Sequence, residues 1–156
     1  MAIQDPRQRP PDGGPLPALA GRLGYLMKHA HQRLTDLTGS ALAPFGISGR
    51  ELAVLTAIDD RAPLSQQEVA RRLGVDRTTM VALIDDLENK NLVQRRQDPG
   101  DRRRNVVILT DAGHVTLRRA RAAAEEAERR FLAPLSGAEG SAFTEALRAV
   151  AFPPAP

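Results

Sequence analysis

The segment from Arg95 to Arg104 contains the residues that most directly indicate a chemical role. Five arginines and two aspartates fall within it, so its formal charge equals that of the whole chain, which is +3. Positive charge gathered in one short stretch is typical of a surface that binds a polyanion, and nucleic acid is the first candidate. The charged residues of this segment are Arg95, Arg96, Arg102, Arg103, Arg104, Asp98 and Asp101.

Groups suited to enzymatic or metal chemistry are scarce. The chain has no cysteine, which removes disulfides, thiolate metal sites and cysteine nucleophiles. His29 and His31 are two residues apart, which places them on different faces of a helix and makes them a poor metal pair. The adjacent carboxylates Asp85 and Asp86 fail the same geometric test for shared acid–base work. We therefore expect no enzymatic activity, no metal site and no cofactor.

Length and composition predict one domain. The chain has 156 residues, of which 42% are hydrophobic and 26% are charged, values that are ordinary for a globular protein. No apolar run approaches the roughly 20 residues that a bilayer requires, and the N-terminus lacks the apolar core of a signal peptide. We expect a soluble, cytoplasmic protein with no membrane partner.

The two ends of the chain differ in composition from its middle. Residues 1–17 hold five prolines and little that suits a core, which predicts a disordered arm. From Leu19 onwards, apolar residues follow one helical stripe, which predicts a helix over 18–43 and an N-terminal dimerisation segment over 18–46. The proline-rich tail, 153–156, cannot continue a helix.

Start and stop signals divide the rest of the chain into helices. Three Ser-x-x-Glu pairs have the spacing of a capping box, in which each side chain bonds the backbone of the other residue. After the second pair, Gly74 supplies a left-handed stop, and Asp76 can cap the helix that follows. A short helix, a glycine turn and a longer helix form the helix-turn-helix pattern. The three pairs are Ser48–Glu51, Ser65–Glu68 and Ser136–Glu139.

A hairpin follows the helix-turn-helix. The stretches 92–97 and 105–109 have strand-like composition, and residues 98–101 between them favour a turn. We therefore predict a mainly α fold with a small two- or three-stranded antiparallel wing. In this fold a winged helix-turn-helix DNA-binding domain covers 47–109, and C-terminal dimerisation helices cover 110–152.

The helices at the two ends of the chain need a partner. Thr110 caps a long alanine-rich helix that is predicted to end near residue 133, and a last helix opens at Ser136. Both, like the first helix, are too long and too apolar to be covered by the small central module. We expect them to bury each other across a two-fold axis. The alternative is a monomer in which the end helices fold back.

A spaced set of residues runs from the fourth predicted helix through the hairpin into the long helix. It consists of Leu87-Glu88, Leu92-Val93, Arg95, Asp98-Pro99, Asp101-Arg102-Arg103, Val106, Leu109-Thr110 and Gly113. This set resembles the MarR family of transcriptional regulators, and the resemblance extends over about 19–150. Asn91 stands where the family usually has glycine, and asparagine tolerates the left-handed backbone that this turn requires.

The resemblance implies an assembly and a mechanism. It implies a homodimer, triangular in outline, whose terminal helices form the dimerisation region and whose two winged-helix lobes read a pseudo-palindromic site in double-stranded DNA. Most members are repressors that small, often aromatic or phenolic, ligands release. The resemblance also places Arg103 in the minor groove with Asp101 orienting it. A narrow minor groove concentrates negative potential, which attracts arginine.

The candidate DNA contacts lie on the first turn of the fourth helix and on the hairpin. Helix-turn-helix proteins place the N-terminal residues of the recognition helix against base edges. Further along that helix, Asp85, Asp86 and Glu88 would repel the DNA backbone, so we expect docking by its N-terminal end. A cap of the helix start is the alternative role for Thr79. The candidates are Arg77, Thr78, Thr79, Arg95, Asp101, Arg102, Arg103 and Arg104.

One flank of the first helix is a candidate effector site. Arg22, Tyr25, His29 and Arg33 follow helical spacing and place cations beside an aromatic ring. Such a flank would suit an anionic aromatic ligand if it faced a cleft. The alternative is a solvated flank of a long helix.

Two function classes remain open from the sequence. The first is a dimeric, sequence-specific DNA-binding repressor. The second is a winged-helix module that binds a protein partner through the same basic hairpin. The arginine hairpin beside an exposed Arg-Thr-Thr helix start favours the grooves of DNA over a protein face.

Overall fold

The computed structural model describes residues 14, 16–59, 63–98, 100–101, 103 and 105–154. Four helices, a two-stranded hairpin and two further helices follow one another in the predicted order. Most of the predicted N-terminal arm lies outside the described residues. The elements are α1 (Leu23–Leu42), α2 (Gly49–Ile58), α3 (Gln66–Leu73), α4 (Arg77–Asn89), β1 (Val93–Gln97), β2 (Asn105–Leu109), α5 (Asp111–Leu132) and α6 (Gly137–Ala151), with a 3-10 turn at Ala43–Phe45.

Helix α1 begins five residues later than its apolar stripe predicts. Residues 17–21 form a turn instead, in which the Leu19 N–H donates to the Leu16 carbonyl at 2.8 Å. Arg22 is the N-cap residue, and its side chain makes no capping hydrogen bond. No side chain caps the start of this helix, and glycines at positions 21 and 24 disfavour helical backbone. The stretch before Leu23 therefore lacks the local stabilisation that an earlier helix start would need.

The other helix boundaries follow their predicted signals. All three capping boxes form, with the serine side chain accepting from the glutamate N–H and the glutamate carboxylate accepting from the serine N–H. Gly74 ends α3 with φ at 63°, and Asn91 follows α4 with φ at 58°. Local side-chain chemistry therefore sets where these helices begin and end.

The wing is an antiparallel pair with a third segment beside it. Val93 lies opposite Leu109, and Gln97 lies opposite Asn105. The Val107 N–H donates to the Leu64 carbonyl at 2.9 Å, which attaches the segment before α3 to the free edge of β2. A backbone hydrogen bond thus joins the wing to the helix-turn-helix.

The start of α5 packs closely against the two residues that precede β1. The Thr110 hydroxyl donates to the Asn91 carbonyl at 2.7 Å. A Cβ added at Gly113 would lie 2.0 Å from the Leu92 carbonyl oxygen, a distance that no side chain tolerates. Glycine at this position is therefore what allows helix and strand to approach so closely.

One core joins the helix-turn-helix to the wing and to the inner ends of α1 and α5. Met80, Ile84 and Leu87 of α4 are fully buried in it. Leu42 and Leu117 enter it from α1 and α5. Because α4 is anchored along one face, its opposite face is presented at the surface.

Large apolar side chains remain exposed on α1 and α6. Leu23 is 68% exposed and Val150 is 70% exposed. They border a groove of about 450 Å³ that is almost entirely apolar. The groove is lined by Leu23, Leu26, Met27, Ala30, His31, Leu34, Phe131, Phe143, Ala146, Leu147 and Val150.

Within the described ranges, no single helix is long and apolar enough to cross a membrane. Residues 23–45 and Gly49–Ile58 reach the required length and hydropathy only when they are taken together, and the chain bends by 69° between them.

Candidate nucleic-acid interface

The first turn of α4, the recognition helix, is built on Asp76. The Asp76 carboxylate accepts from the Thr79 N–H at 2.9 Å and from the Thr79 hydroxyl at 2.7 Å. The hydroxyl and the backbone N–H of Thr79 together lower the pKa of Asp76 below its ordinary value. Thr79 is half-buried and its hydroxyl is engaged in this cap, whereas Arg77 and Thr78 are exposed.

Arg77 borders a cleft between the helix-turn-helix and the base of the wing. The cleft has a volume of about 540 Å³, and polar side chains from α3, including Gln66 and Gln67, form part of its lining. Asn105, the first residue of β2, lines the same cleft, so the recognition-helix start and the wing border one surface. Among the described residues, no ion pair engages the Arg77 guanidinium.

The hairpin loop is shaped by two aspartates. The Asp98 carboxylate accepts from the Gly100 N–H at 2.8 Å, and the Asp101 carboxylate accepts from the Arg103 N–H at 3.0 Å. Asp101 therefore acts on the backbone at Arg103, whose side chain is exposed. The other two candidates of this loop, Arg102 and Arg104, lie outside the described residues.

Arg95 is engaged by carboxylates of the recognition helix. Its guanidinium forms ion pairs with Glu88 and with Asp85, the latter at 2.5 Å, and also contacts the Gln66 side-chain oxygen at 3.3 Å. Burial lowers the pKa of Arg95, but the hydrogen bonds with Asp85 and Glu88 outweigh it, so the pKa lies above its usual value. The structure thus separates Arg95 from Arg77 and Arg103, whose guanidinium groups form no ion pair with acids among the described residues.

A second ion pair holds the C-terminal end of the recognition helix. The Lys90 ammonium lies 2.6 Å from the Glu51 carboxylate, and Glu51 is only 5% exposed. Burial raises the pKa of Glu51, but hydrogen bonds from Lys90 and Ser48 outweigh it, so the pKa lies below its ordinary value. The sequence showed Glu51 only as a capping residue, because a partner 39 positions away leaves no local signal.

The four effector candidates on α1 do not converge. Tyr25 and His29 are in ring contact, with centroids 4.3 Å apart, and the Tyr25 hydroxyl accepts from the Leu16 N–H at 3.3 Å. Arg22 stands at the N-cap position. The Arg33 guanidinium points to a different element, α5.

Arg33 satisfies the C-terminal end of α5. It donates to the Phe131 carbonyl at 2.7 Å and to the Arg130 carbonyl at 3.3 Å. It also lies over the Phe131 ring, 5.2 Å from the centroid. A cation at this helix end meets unpaired carbonyls and the negative end of the helix dipole. Arg33 therefore joins α1 to α5, a role that the spacing on α1 alone did not reveal.

In the part of the chain that the structure describes, no three His, Asp or Glu side chains come together in a way that could hold a metal ion.

Comparison with known proteins gives a consistent family. The MarR family model matches residues 45–104, which include the helix-turn-helix and the hairpin loop. The repressor NicR of Pseudomonas putida is 32% identical over 96 residues, which span 62% of this chain and 61% of NicR, less than two thirds of its length. The transcriptional regulator HosA of Escherichia coli O111:H- is 32% identical over 98 residues, which span 63% of this chain and 73% of HosA.

Solved structures of the repressor CouR have the same fold. CouR bound to a 23-mer DNA duplex matches with a TM-score of 0.81 and 31% identity, covering 89% of this chain and 99% of CouR. CouR from Rhodococcus jostii RHA1 bound to p-coumaroyl-CoA matches with a TM-score of 0.76 and 28% identity, covering 90% of this chain and 99% of CouR. With the winged helix-turn-helix and its exposed arginines, these matches show that the chain belongs to the MarR family of winged-helix transcriptional regulators.

Proposed function

We propose that the chain is a homodimeric repressor that binds a pseudo-palindromic operator. The observation that carries this proposal is the cleft that the start of the recognition helix shares with the base of the wing. In this proposal Arg77 and Thr78 approach base edges in the major groove, and Arg103 enters the minor groove beside it. CouR, which matches over nearly its whole length, is a repressor whose structure has been solved with DNA.

The second copy covers the apolar groove of α1 and α6. Exposed side chains such as Leu23, Phe143 and Val150 form a continuous apolar surface, which is typical of a protein interface. A two-fold axis along these helices would present two recognition helices. Consecutive major grooves on one face of DNA lie roughly 34 Å apart, so the dimer sets the half-site spacing.

A small ligand releases this dimer from DNA in the same proposal. CouR binds p-coumaroyl-CoA, and an anionic aromatic compound suits the Tyr25–His29 pair of this chain. Arg33 is engaged with α5 and is the weaker candidate of the flank. A ligand of this kind shifts the dimer towards a lobe separation that does not fit DNA, by no more than its differential affinity for the two states.

The protein acts in the cytoplasm and catalyses no reaction, in line with relatives that are transcriptional regulators. The alternative function is that of a winged-helix module that binds a protein partner. The exposed Arg77 and Thr78 beside the cleft favour DNA, because a groove of the duplex accepts a helix start and an arginine together.

Selection of duplex DNA from a random pool tests the proposal, with the molar mass measured by light scattering in the same buffer. We expect a dimer that enriches an inverted repeat with half-sites about one helical turn apart. A monomer, or a dimer that enriches no sequence, would reject the operator proposal and favour the partner-binding module. Calorimetry with phenolic acids and their CoA thioesters then tests the ligand, which must also lower affinity for the enriched DNA.

A further inference from the structure

The recognition helix carries the wrong charge for a surface that approaches phosphates. It has one arginine, Arg77, at its start and three carboxylates, Asp85, Asp86 and Glu88, in its second half. Lys90, which caps its end, is already paired with Glu51. Without compensation, this helix would oppose a polyanion along half of its length.

Arg95 supplies the compensation from the neighbouring strand. Asp85 and Glu88 are three residues apart, so they share one face of α4, and the two arms of the guanidinium pair with one carboxylate each. The Arg95 N–H also donates to the second Glu88 oxygen at 3.1 Å. Gln66 on α3 accepts from the same guanidinium at 3.3 Å. One residue of β1 thus joins both helices of the helix-turn-helix to the wing.

We propose that Arg95 is a positioning residue, which neutralises Asp85 and Glu88 on the recognition helix and fixes the wing against that helix, and that it does not itself bind phosphate. This inference rests on the proposed DNA-binding function. A phosphate would have to displace two carboxylates from a guanidinium that is 32% exposed, whereas Arg103 meets no such competition among the described residues. The planar fork of arginine suits this bridging, because it presents several donors in one fixed plane.

A rescue experiment separates this role from direct contact with DNA. We expect R95Q to weaken binding to the selected operator by about tenfold or more, because two unpaired carboxylates then face the phosphates. Adding D85N and E88Q to R95Q removes the charges that Arg95 neutralised, so most of the affinity returns. A triple variant that binds no better than R95Q overturns the proposal.

The matched control adds the same two substitutions to R103A. In that background Arg95 still neutralises the carboxylates, so D85N and E88Q produce a clearly smaller gain than they produce with R95Q. An equal gain in both backgrounds means that the carboxylates act independently of Arg95, and it overturns the proposal.

Amide hydrogen exchange on the free protein tests the positioning role without DNA. We expect R95Q to exchange faster than wild type across Val93–Gln97 and Asn105–Leu109, while the central part of α5 stays unchanged. Unchanged exchange in both strands overturns the positioning role. If the wild-type protein selects no DNA, the proposed function fails, and the exchange result still decides whether Arg95 holds the wing.

Discussion

The two halves of the recognition helix use their charges differently. At its start, and in the loop of the hairpin beside it, Arg77 and Arg103 are exposed and no carboxylate of the described residues pairs with them. In its second half and at its end, three of the charged side chains are paired with residues from other elements. The exposed arginines are Arg77 and Arg103, and the paired groups are Asp85 and Glu88 with Arg95, and Lys90 with Glu51.

This difference shows that residue type alone does not decide what a charge does. Arg95 and Arg103 lie in the same basic segment, eight positions apart, and the segment as a whole is what predicts a polyanion site. Of these two described arginines, only Arg95 forms ion pairs with acids of the recognition helix. A cation that meets a carboxylate in the folded chain holds elements together, and a cation that meets none remains available to a ligand.

The largest expected effect comes from breaking the ion pair between Lys90 and the buried Glu51 at the end of α4. Replacing Lys90 with methionine leaves the Glu51 carboxylate buried without its cation. We expect a loss of about 2 kcal/mol in the free energy of unfolding, below the value for a fully buried pair because Lys90 is partly exposed. Urea unfolding measures the free energy of unfolding of both variants. The control is Lys28→Met, because Lys28, the other lysine, lies exposed on α1. Equal stability of the two variants would show that the pair does not anchor the helix.

Removal of Arg103 acts on DNA binding instead. We expect Arg103→Ala to weaken operator binding by about tenfold, or about 1.4 kcal/mol, with no change in the unfolding midpoint. Fluorescence anisotropy at fixed salt measures the affinity. Arg118→Ala, on the exposed side of α5, is the control and leaves affinity unchanged. An Arg103 variant that binds the operator as tightly as wild type would show that Arg103 of the wing does not contact DNA.

Adjacent threonines sharpen the comparison further. Thr79→Val removes the hydroxyl bond to Asp76, and we expect it to cost about 0.5–1 kcal/mol of stability. Thr78→Val removes an exposed hydroxyl, so thermal unfolding is unchanged and the effect falls on operator affinity. The reverse pattern, with Thr78 affecting stability and Thr79 affecting only affinity, would contradict the assignment of the cap.

The smallest expected effect is the pH dependence of the Glu51 pair. The folded-state pKa of Glu51 lies below its ordinary value of 4.5, so its contribution is complete above that value and is lost as pH falls through the folded pKa. As pH falls from neutral through the folded pKa, we expect wild type to lose slightly more of its free energy of unfolding than Glu51→Gln does. Urea unfolding at each pH measures the free energy of unfolding of both proteins. A difference between them that does not change with pH would contradict this assignment.

Much of the fold follows from local sequence signals. The capping boxes, the left-handed Gly74 and Asn91, and the order of helices and strands all depend on residues within a few positions of one another. The predicted start of α1 was wrong. The apolar stripe already begins at Leu19, but no capping side chain supports a helix start there. Periodicity predicts which face of a helix is apolar, and caps decide where the helix begins.

The side-chain pairs of the site depend on contacts distant in sequence. The spacing of Arg33 with Tyr25 and His29 indicates a shared flank, but whether Arg33 faces a ligand or α5 depends on how the two helices pack. In the same way, the charge of Arg95 predicts a polyanion site, and its partners are visible only once β1 lies against α4. Sequence patterns therefore indicate the charged residues of the candidate interface without showing which of them are paired.

The salt dependence of operator binding tests the central distinction most directly. Each arginine that contacts a phosphate releases counterions, and its removal lowers the slope of log affinity against log salt by about one. We predict that R103A lowers the slope by this amount and that the triple variant R95Q, D85N and E88Q does not lower it. A triple variant whose slope falls as far as that of R103A would show that Arg95 contacts phosphate, and it would contradict the division between paired and free arginines.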